Sequence, residues 1–214
     1  MSRSLVLPAL GAALVLASAP AHADIFSARA EIHGGGAGGV GIGGDQKDAA
    51  YFKNAPHGAY GALIGAQILI ADAYIEHTQF TNGNRITTWT QFALGMRIDM
   101  KLGGGPALEK GGPARKPTGY FEFGIHAAFG LGTGQQVDPP LDNAQITDKG
   151  FLLEARVGFG KRLGHGLRLG VTIPVSGGYF FKSGNGATVN MLSTHYQGIE
   201  ASALLTLGMQ LGAL

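Results

Sequence analysis

The segment Arg85–Leu102, RITTWTQFALGMRIDMKL, alternates apolar and polar residues with a period of two over most of its length. Successive side chains of a β-strand point to opposite faces, so this pattern predicts a long strand with one apolar face and one polar face. In a helix, Arg97, Asp99 and Lys101 would be scattered around the whole circumference. The segment therefore restricts the fold to a sheet, and it leaves open whether the apolar face meets a core or a lipid bilayer.

The same alternation recurs along the chain and predicts eight antiparallel strands, joined in sequence. The third predicted strand is the least regular, and its residues Glu76 and Thr78 are expected to share a face. The predicted strands are residues 24–33, 58–69, 73–80, 85–102, 120–131, 151–163, 167–181 and 199–214.

Two predicted turns at one end of the sheet are tight, one near Ala71-Asp72 and one at Gly164-His165-Gly166. The same end carries one exception, a Gly/Pro-rich segment at residues 102–118. Short turns on one side and longer loops on the other are typical of outer-membrane barrels.

Long segments lie at the opposite end, together with one Asn-Gly turn at residues 82–84, which is a strong hairpin signal. The long segments are residues 34–56, 132–150 and 182–194. The glycine-rich tract 34–44 lacks the following helix that a phosphate-binding loop requires, so we predict that it is a flexible loop.

The first 23 residues have the three parts of a secretory signal peptide. A basic start at Arg3 is followed by an apolar run over residues 5–17 and by the small-residue pattern Ala21-His22-Ala23. The apolar run is too short for a membrane anchor. We therefore predict cleavage after Ala23 and a single domain at residues 24–214.

The composition excludes several classes of protein. The chain has no cysteine and a formal net charge of only +2, so neither a disulfide framework nor a nucleic-acid-binding surface is expected. Charged residues make up 14% and hydrophobic residues 45%, an unusual balance for a soluble exported domain. Beyond the signal peptide, the longest apolar stretch, residues 59–71, is interrupted by Gln67 and two glycines, so no membrane-spanning helix is predicted.

The polar faces of the strands indicate which side meets lipid. A secreted lipocalin-like barrel would place its apolar face inward, whereas a membrane barrel would place it outward. Glycine covers little surface on a water-exposed strand, but it suits the crowded interior of a narrow barrel. The polar faces are rich in it, at Gly95, Gly124, Gly130, Gly158, Gly160, Gly170, Gly178 and Gly208.

The remaining polar-face residues carry charges of both signs, which must pair when they are buried. We therefore predict a network of ion pairs in the lumen and lipid around the outside. The candidate network residues are Arg29, Glu31, Glu76, Arg97, Asp99, Glu122, Glu154, Arg156, Arg168 and Glu200. An interfacial girdle of aromatic residues is predicted from Tyr60, Trp89, Tyr120, Phe151, Tyr179 and Phe181.

With its export signal, eight strands and uneven loops, the chain resembles the small eight-stranded outer-membrane β-barrels of the OmpA/OmpX type. Its last strand, TLGMQLGAL at residues 206–214, is similar to the C-terminal signal that the barrel-assembly machinery recognises in that family. The chain ends in Leu214 where the family commonly has an aromatic residue. The resemblance implies an all-β, eight-stranded, antiparallel, up-and-down transmembrane barrel in contact with outer-membrane lipid and lipopolysaccharide.

No catalytic, cofactor-binding or metal-binding residues are predicted. Lipid A deacylases and acyltransferases of the outer membrane use His and Ser, but Ser193, His195, His77 and His126 do not form a spacing that suggests a nucleophile with its base. The histidines lack paired metal-ligand spacing, and the loop aspartates do not follow a calcium-loop pattern. His33 and His126 are predicted to be hydrogen-bonding residues of the lumen.

An eight-stranded barrel has no room for an open channel once side chains fill it, so we do not expect general porin activity. We predict a structural or interaction scaffold without enzymatic activity, which docks an envelope protein through its surface loops or through residues 102–118. The most distinctive loop is residues 133–143, stiffened by Pro139-Pro140. The alternatives are a porin-like component of an envelope complex such as a surface-motility machine, a lipid A-modifying enzyme and a secreted lipocalin-like barrel.

Overall fold

A computed structural model describes residues 25–44, 56–82, 85–103, 118–136, 145–185 and 195–213. These residues form eight antiparallel strands in which each strand pairs with its neighbours in sequence and β1 pairs with β8, so the sheet closes into an up-and-down barrel. The strands are β1 Phe26–Gly44, β2 His57–Ile68, β3 Ala71–Asn82, β4 Arg85–Leu102, β5 Gly119–Gln136, β6 Gln145–Gly164, β7 Leu167–Asn185 and β8 His195–Ala213. The predicted all-β, eight-stranded, antiparallel, up-and-down barrel is confirmed.

Apolar side chains cover the outside of the barrel, and charged side chains fill its interior. On β4, Leu94 and Ile98 are 54% and 47% exposed, while Arg97 between them is 2% exposed. This is the reverse of a lipocalin-like arrangement, and an exposed apolar surface of this extent is typical of a membrane or protein interaction surface. Outward residues of the same kind include Ile32, Ile64, Ile75, Phe92, Ile125, Phe129, Phe151, Leu153, Leu169, Leu205, Leu207 and Leu211.

The two tight turns define what we call the lower end of the barrel. The β2–β3 turn is formed by Leu69 and Ile70, with Leu69 at a φ of 55°, and the β6–β7 turn by His165 and Gly166 at 48° and 81°. The second turn lies where it was predicted. The first lies two residues before Ala71-Asp72, so Asp72 belongs to β3 and its side chain points into the lumen. No helix in the described ranges is long and apolar enough to cross a membrane.

The prediction of a flexible loop at residues 34–44 was wrong. This tract is the upper half of β1, and it pairs with β8 as far as Gly44 and with β2 as far as Ala37. The glycines bring few side chains to hold the strand, so its stability comes from ladder hydrogen bonds to two neighbours. At Gly35, an added Cβ would overlap the backbone of Ala203 on β8, which shows how closely the strands approach there.

The strands differ in length, and this makes the upper end of the barrel uneven. Strands β2 and β3 have 12 residues each, whereas the others have 18 to 20. The predicted fifth and sixth strands were too short, because β5 continues to Gln136 and β6 begins at Gln145. The predicted signal peptide, the segments 45–55, 104–117, 137–144 and 186–194, and Leu214 lie outside the described residues.

Candidate functional site in the lumen and at the outer rim

The lower part of the lumen is organised around Asp72. Its Oδ2 accepts a hydrogen bond from Arg29 Nη2 at 2.8 Å and lies 2.9 Å from His126 Nε2. Its Oδ1 lies 3.5 Å from Nε of Arg97. All four side chains are buried, so one carboxylate offsets two guanidinium groups that have lost their contact with water.

A second set of ion pairs leads from Arg97 towards the lower mouth. Glu122 Oε2 accepts from Arg97 Nη1 at 3.0 Å and from Arg168 Nη2 at 3.1 Å. Arg168 also donates to Asp99 at 3.2 Å, and its guanidinium carbon lies 3.6 Å from the centre of the Tyr120 ring. The two arginines thereby connect residues of three strands, β4, β5 and β7.

A third group occupies the middle of the lumen around Arg156. This arginine donates to Glu76 Oε2 at 2.5 Å and to Glu154 Oε1 at 2.9 Å. The Tyr74 hydroxyl donates to Glu154 at 2.6 Å, and the Gln91 amide donates to both glutamates. The predicted network of lumenal ion pairs is therefore confirmed, and neutral donors complete it.

The histidines predicted to lie in the lumen are found there. His126 contacts Asp72 as described, and His33 Nε2 lies 3.6 Å from Glu76 Oε1. Higher up, His57 Nε2 lies 3.7 Å from Glu200 Oε2, and both side chains are buried. Between these levels is a cavity of about 20 Å³, which holds on the order of one water molecule.

Aromatic rings fill the lumen near its upper end. Trp89 and Phe180 meet edge to face at 5.4 Å, and Phe180 stacks on Tyr196 at 4.9 Å. The Tyr196 hydroxyl donates to Asp148 at 2.5 Å. Glycines leave the space that these rings occupy, since a Cβ at Gly130 would overlap the Trp89 ring.

Two of the six predicted girdle residues are in the lumen. Trp89 and Tyr120 are 2% and 3% exposed. Each lies two residues from a buried polar residue on the same strand, Gln91 for Trp89 and Glu122 for Tyr120, and so points to the same inward face. Outward-facing aromatics do occur at the predicted positions Tyr60, Phe151, Tyr179 and Phe181.

The structure does not bring the candidate catalytic side chains together. His126 is deep in the lumen, while His77 faces outward and bonds to Thr90 at 2.8 Å. His195 faces outward at the start of β8 and stacks on Tyr179 at 5.3 Å. Ser193 lies outside the described residues, and within the described ranges no group of three or more His, Asp or Glu residues is arranged to hold a metal ion.

The lumen contains important residues that the sequence reasoning missed. Asp72 was assigned to a turn, and Tyr74 and Gln91 were not considered as network members. Residues that are an even number of positions apart on a strand point to the same face. Asp72 and Tyr74 therefore share the lumenal face of Glu76, and Gln91 shares that of Arg97. Extending the period-two pattern to the strand ends would have identified all three.

No family model matches the chain, and no curated protein matches it in sequence. Among solved structures, it is similar to the crystal structure of Neisserial surface protein A. The match covers 86% of this chain and 96% of that chain, with 8% identity and a TM-score of 0.45. A similarity of this size says nothing about function, which has to be argued from the barrel itself.

Proposed function

We propose that this protein is an integral barrel of the outer membrane in a Gram-negative-type envelope, and that it works as a rigid scaffold that presents surface loops to an envelope partner. The observation that supports this most is the inverted distribution of side chains, with an aliphatic exterior around an ion-paired lumen. The sheet of this barrel closes on itself, so its wall can lie in hydrocarbon with the backbone hydrogen bonds made between neighbouring strands.

The outer membrane is favoured by two features of the sequence. The signal peptide predicted over residues 1–23 directs export, and closed β-barrels with apolar outer faces are the spanning structures of outer membranes. The last strand, β8 His195–Ala213, carries alternating outward Leu205, Leu207, Met209 and Leu211, the pattern proposed to be read by the barrel-assembly machinery.

A scaffold role is favoured over transport because side chains close the lumen. The ion pairs around Asp72, Glu122 and Arg156 cross it at several levels, and the cavity lined by Glu76 and Glu200 has room for about one water molecule. Loops on a rigid support commonly carry recognition. The candidate docking segments are residues 137–143 at the upper end and 102–118 at the lower end.

The proposal is tested by four measurements on the wild-type strain and a loop-variant strain. The wild-type protein is expected to fractionate with outer membrane, to resist carbonate extraction and to change its electrophoretic mobility when it is boiled in detergent. Replacing residues 137–143 with a Gly/Ser linker is expected to preserve this mobility change and to abolish copurification of a partner. Recovery in the soluble periplasmic fraction would contradict the membrane assignment.

Catalysis is tested separately through His195, the best-placed rim histidine. His195→Ala is expected to leave the lipid A mass spectrum of the cells unchanged, because no nucleophile accompanies this side chain among the described residues. A changed lipid A spectrum in His195→Ala cells, with partner association retained in the loop variant, would contradict the scaffold function and favour an enzymatic function.

A further inference from the structure

A basic and aromatic patch lies on the outer face of β6, β7 and β8 near their upper ends. Lys149, Phe181 and His195 are direct cross-strand neighbours in one row, since Lys149 pairs with Phe181 and Phe181 with His195. All three are exposed. The two nitrogen-bearing side chains flank the Phe181 ring, with their strands roughly 10 Å apart.

The next row down is formed by Phe151, Tyr179 and Gln197 in the same register. Tyr179 contacts Phe181 at 5.0 Å and stacks against His195 with an angle of 16° between the rings. Phe151 contacts Phe129 of the neighbouring β5 at 5.2 Å. The rings hold one another in place, so the patch is a preorganised surface rather than a set of independent side chains.

The patch lies at the boundary of the apolar band. The rows below it contain Leu153 with Ile199, then Val175, all exposed and aliphatic. A cation directly above such a band lies at the depth of lipid headgroups, and aromatic rings are enriched at the same depth. Tight turns lie on the periplasmic side of outer-membrane barrels, so the upper end of this barrel would face the outer leaflet. The anions at headgroup depth in that leaflet are the phosphates of glycolipids.

We propose that this patch binds the phosphorylated headgroup of an outer-leaflet glycolipid. The Lys149 ammonium pairs with a phosphate, the His195 ring donates a hydrogen bond to the headgroup, and Phe151 and Phe181 contact the sugar and the first acyl carbons. This inference rests on the proposed location in the outer membrane and names a ligand for the barrel's outer rim.

The position of the charge is specific to this side of the barrel. On β3 and β4, the described outward side chains at the corresponding edge are uncharged or imidazole groups, namely His77, Gln79, Thr88 and Thr90. The lower edge of β6 offers a matched comparison, because Lys161 is also outward and exposed on the same strand. Lys161 lies at the opposite end of the barrel, and its direct cross-strand neighbours are Gly119 and Leu169, whereas Lys149 pairs with the aromatic Phe181.

The test uses the full-length mature protein, folded in detergent micelles, with its affinity for bis-phosphorylated lipid A measured by thermophoresis. Lys149→Gln is expected to weaken binding by about tenfold, since it removes a charge-assisted contact, whereas Lys161→Gln is expected to leave binding unchanged. Lys149→Arg keeps the charge and is expected to retain binding. Boiling-dependent mobility confirms that each variant is folded.

Two further probes separate the sources of phosphate. Dephosphorylated lipid A with the same acyl chains is expected to bind the wild type as weakly as bis-phosphorylated lipid A binds Lys149→Gln. Three results would each overturn the inference. The first is an equal loss of lipid A affinity in Lys149→Gln and Lys161→Gln, and the second is equal affinity of the wild type for the two lipids. The third is an affinity for inorganic phosphate alone as high as that for lipid A. Such a result from a barrel that still fractionates with outer membrane would leave the proposed function standing.

Discussion

Asp72 shows how much a single side chain contributes to this lumen. Its carboxylate meets Arg29, Arg97 and His126 at a level where none of them reaches water. Buried charges of this kind add little when they are paired, but they are costly when the partner is removed. The effect of a substitution therefore depends on what is left behind.

Asp72→Ala is expected to destabilise the barrel by about 3–5 kcal/mol, because it leaves two buried guanidinium groups without this counter-ion. The change in the free energy of unfolding is measured by guanidinium chloride denaturation of the protein inserted in lipid vesicles. Asp99→Ala is the control, since its side chain is 12% exposed and its partner Arg168 keeps Glu122. The expected cost there is about 1 kcal/mol, and equal losses would mean that Asp72 is not the centre of the network.

Gly130 tests the packing of the aromatic rings at the upper end. Gly130→Ala is expected to cost about 1–3 kcal/mol, because the new methyl group overlaps the Trp89 ring and forces the buried cluster apart. Gly38→Ala on β1 is the matched change, since a Cβ there meets nothing within 4 Å. It is expected to be neutral or slightly stabilising in the same unfolding measurement. A larger loss at Gly38 than at Gly130 would contradict this account of the packing.

Individual strands differ in how well the sequence predicts them. Strand β4 was predicted with the bounds that it has, because its apolar and polar side chains alternate over most of its length. The upper half of β1 was missed, since a run of glycines carries no hydrophobic pattern and is read as a loop. Trp89 and Tyr120 were placed on the wrong face because aromatic residues near strand ends fit both a girdle and a glycine-lined lumen.

Strand β4 allows the lipid face to be tested with two substitutions of the same kind. Ile98→Arg introduces a charge near the middle of the apolar band and is expected to cost about 2–4 kcal/mol. Thr90→Arg lies on the same face beside His77, at the upper edge of the band, where the expected cost is about 0–1 kcal/mol. The yield of the boiling-sensitive folded form reports assembly. If Thr90→Arg assembled less well than Ile98→Arg, the band would have to be shifted upward.

For the whole molecule, the side chains that cross the lumen predict the absence of a conducting pore. Purified protein in a planar bilayer is expected to give no steady ion current, because buried ion pairs and the aromatic cluster cross the lumen on either side of a cavity of about 20 Å³. A large porin in the same bilayer provides the positive control. Stable current steps from the purified barrel would contradict the closed lumen and would favour a transport role.

At this scale, architecture was predictable and partners were not. Alternation, strand number and the mixed charges of the inward faces were sufficient for the barrel and for the lumenal network. The patch around Lys149 was not predicted, because it depends on which residues become neighbours across β6, β7 and β8, and that register is set only when the barrel closes.

Closure joins the two ends of the chain, since Phe26 at the start of β1 pairs with Ala213 at the end of β8. Neighbouring hairpins can form early from local contacts. The β1–β8 ladder joins the two strands that are farthest apart in the sequence, so its loop-closure entropy cost is the largest and its formation is expected to be the slowest. Gln210 on β8 donates a hydrogen bond to the Ser27 hydroxyl on β1 at 3.5 Å, so this lumenal contact also forms only when the two strands meet. The topology therefore predicts that the β1–β8 pairing forms last and that this pairing completes both the wall of the barrel and its polar interior.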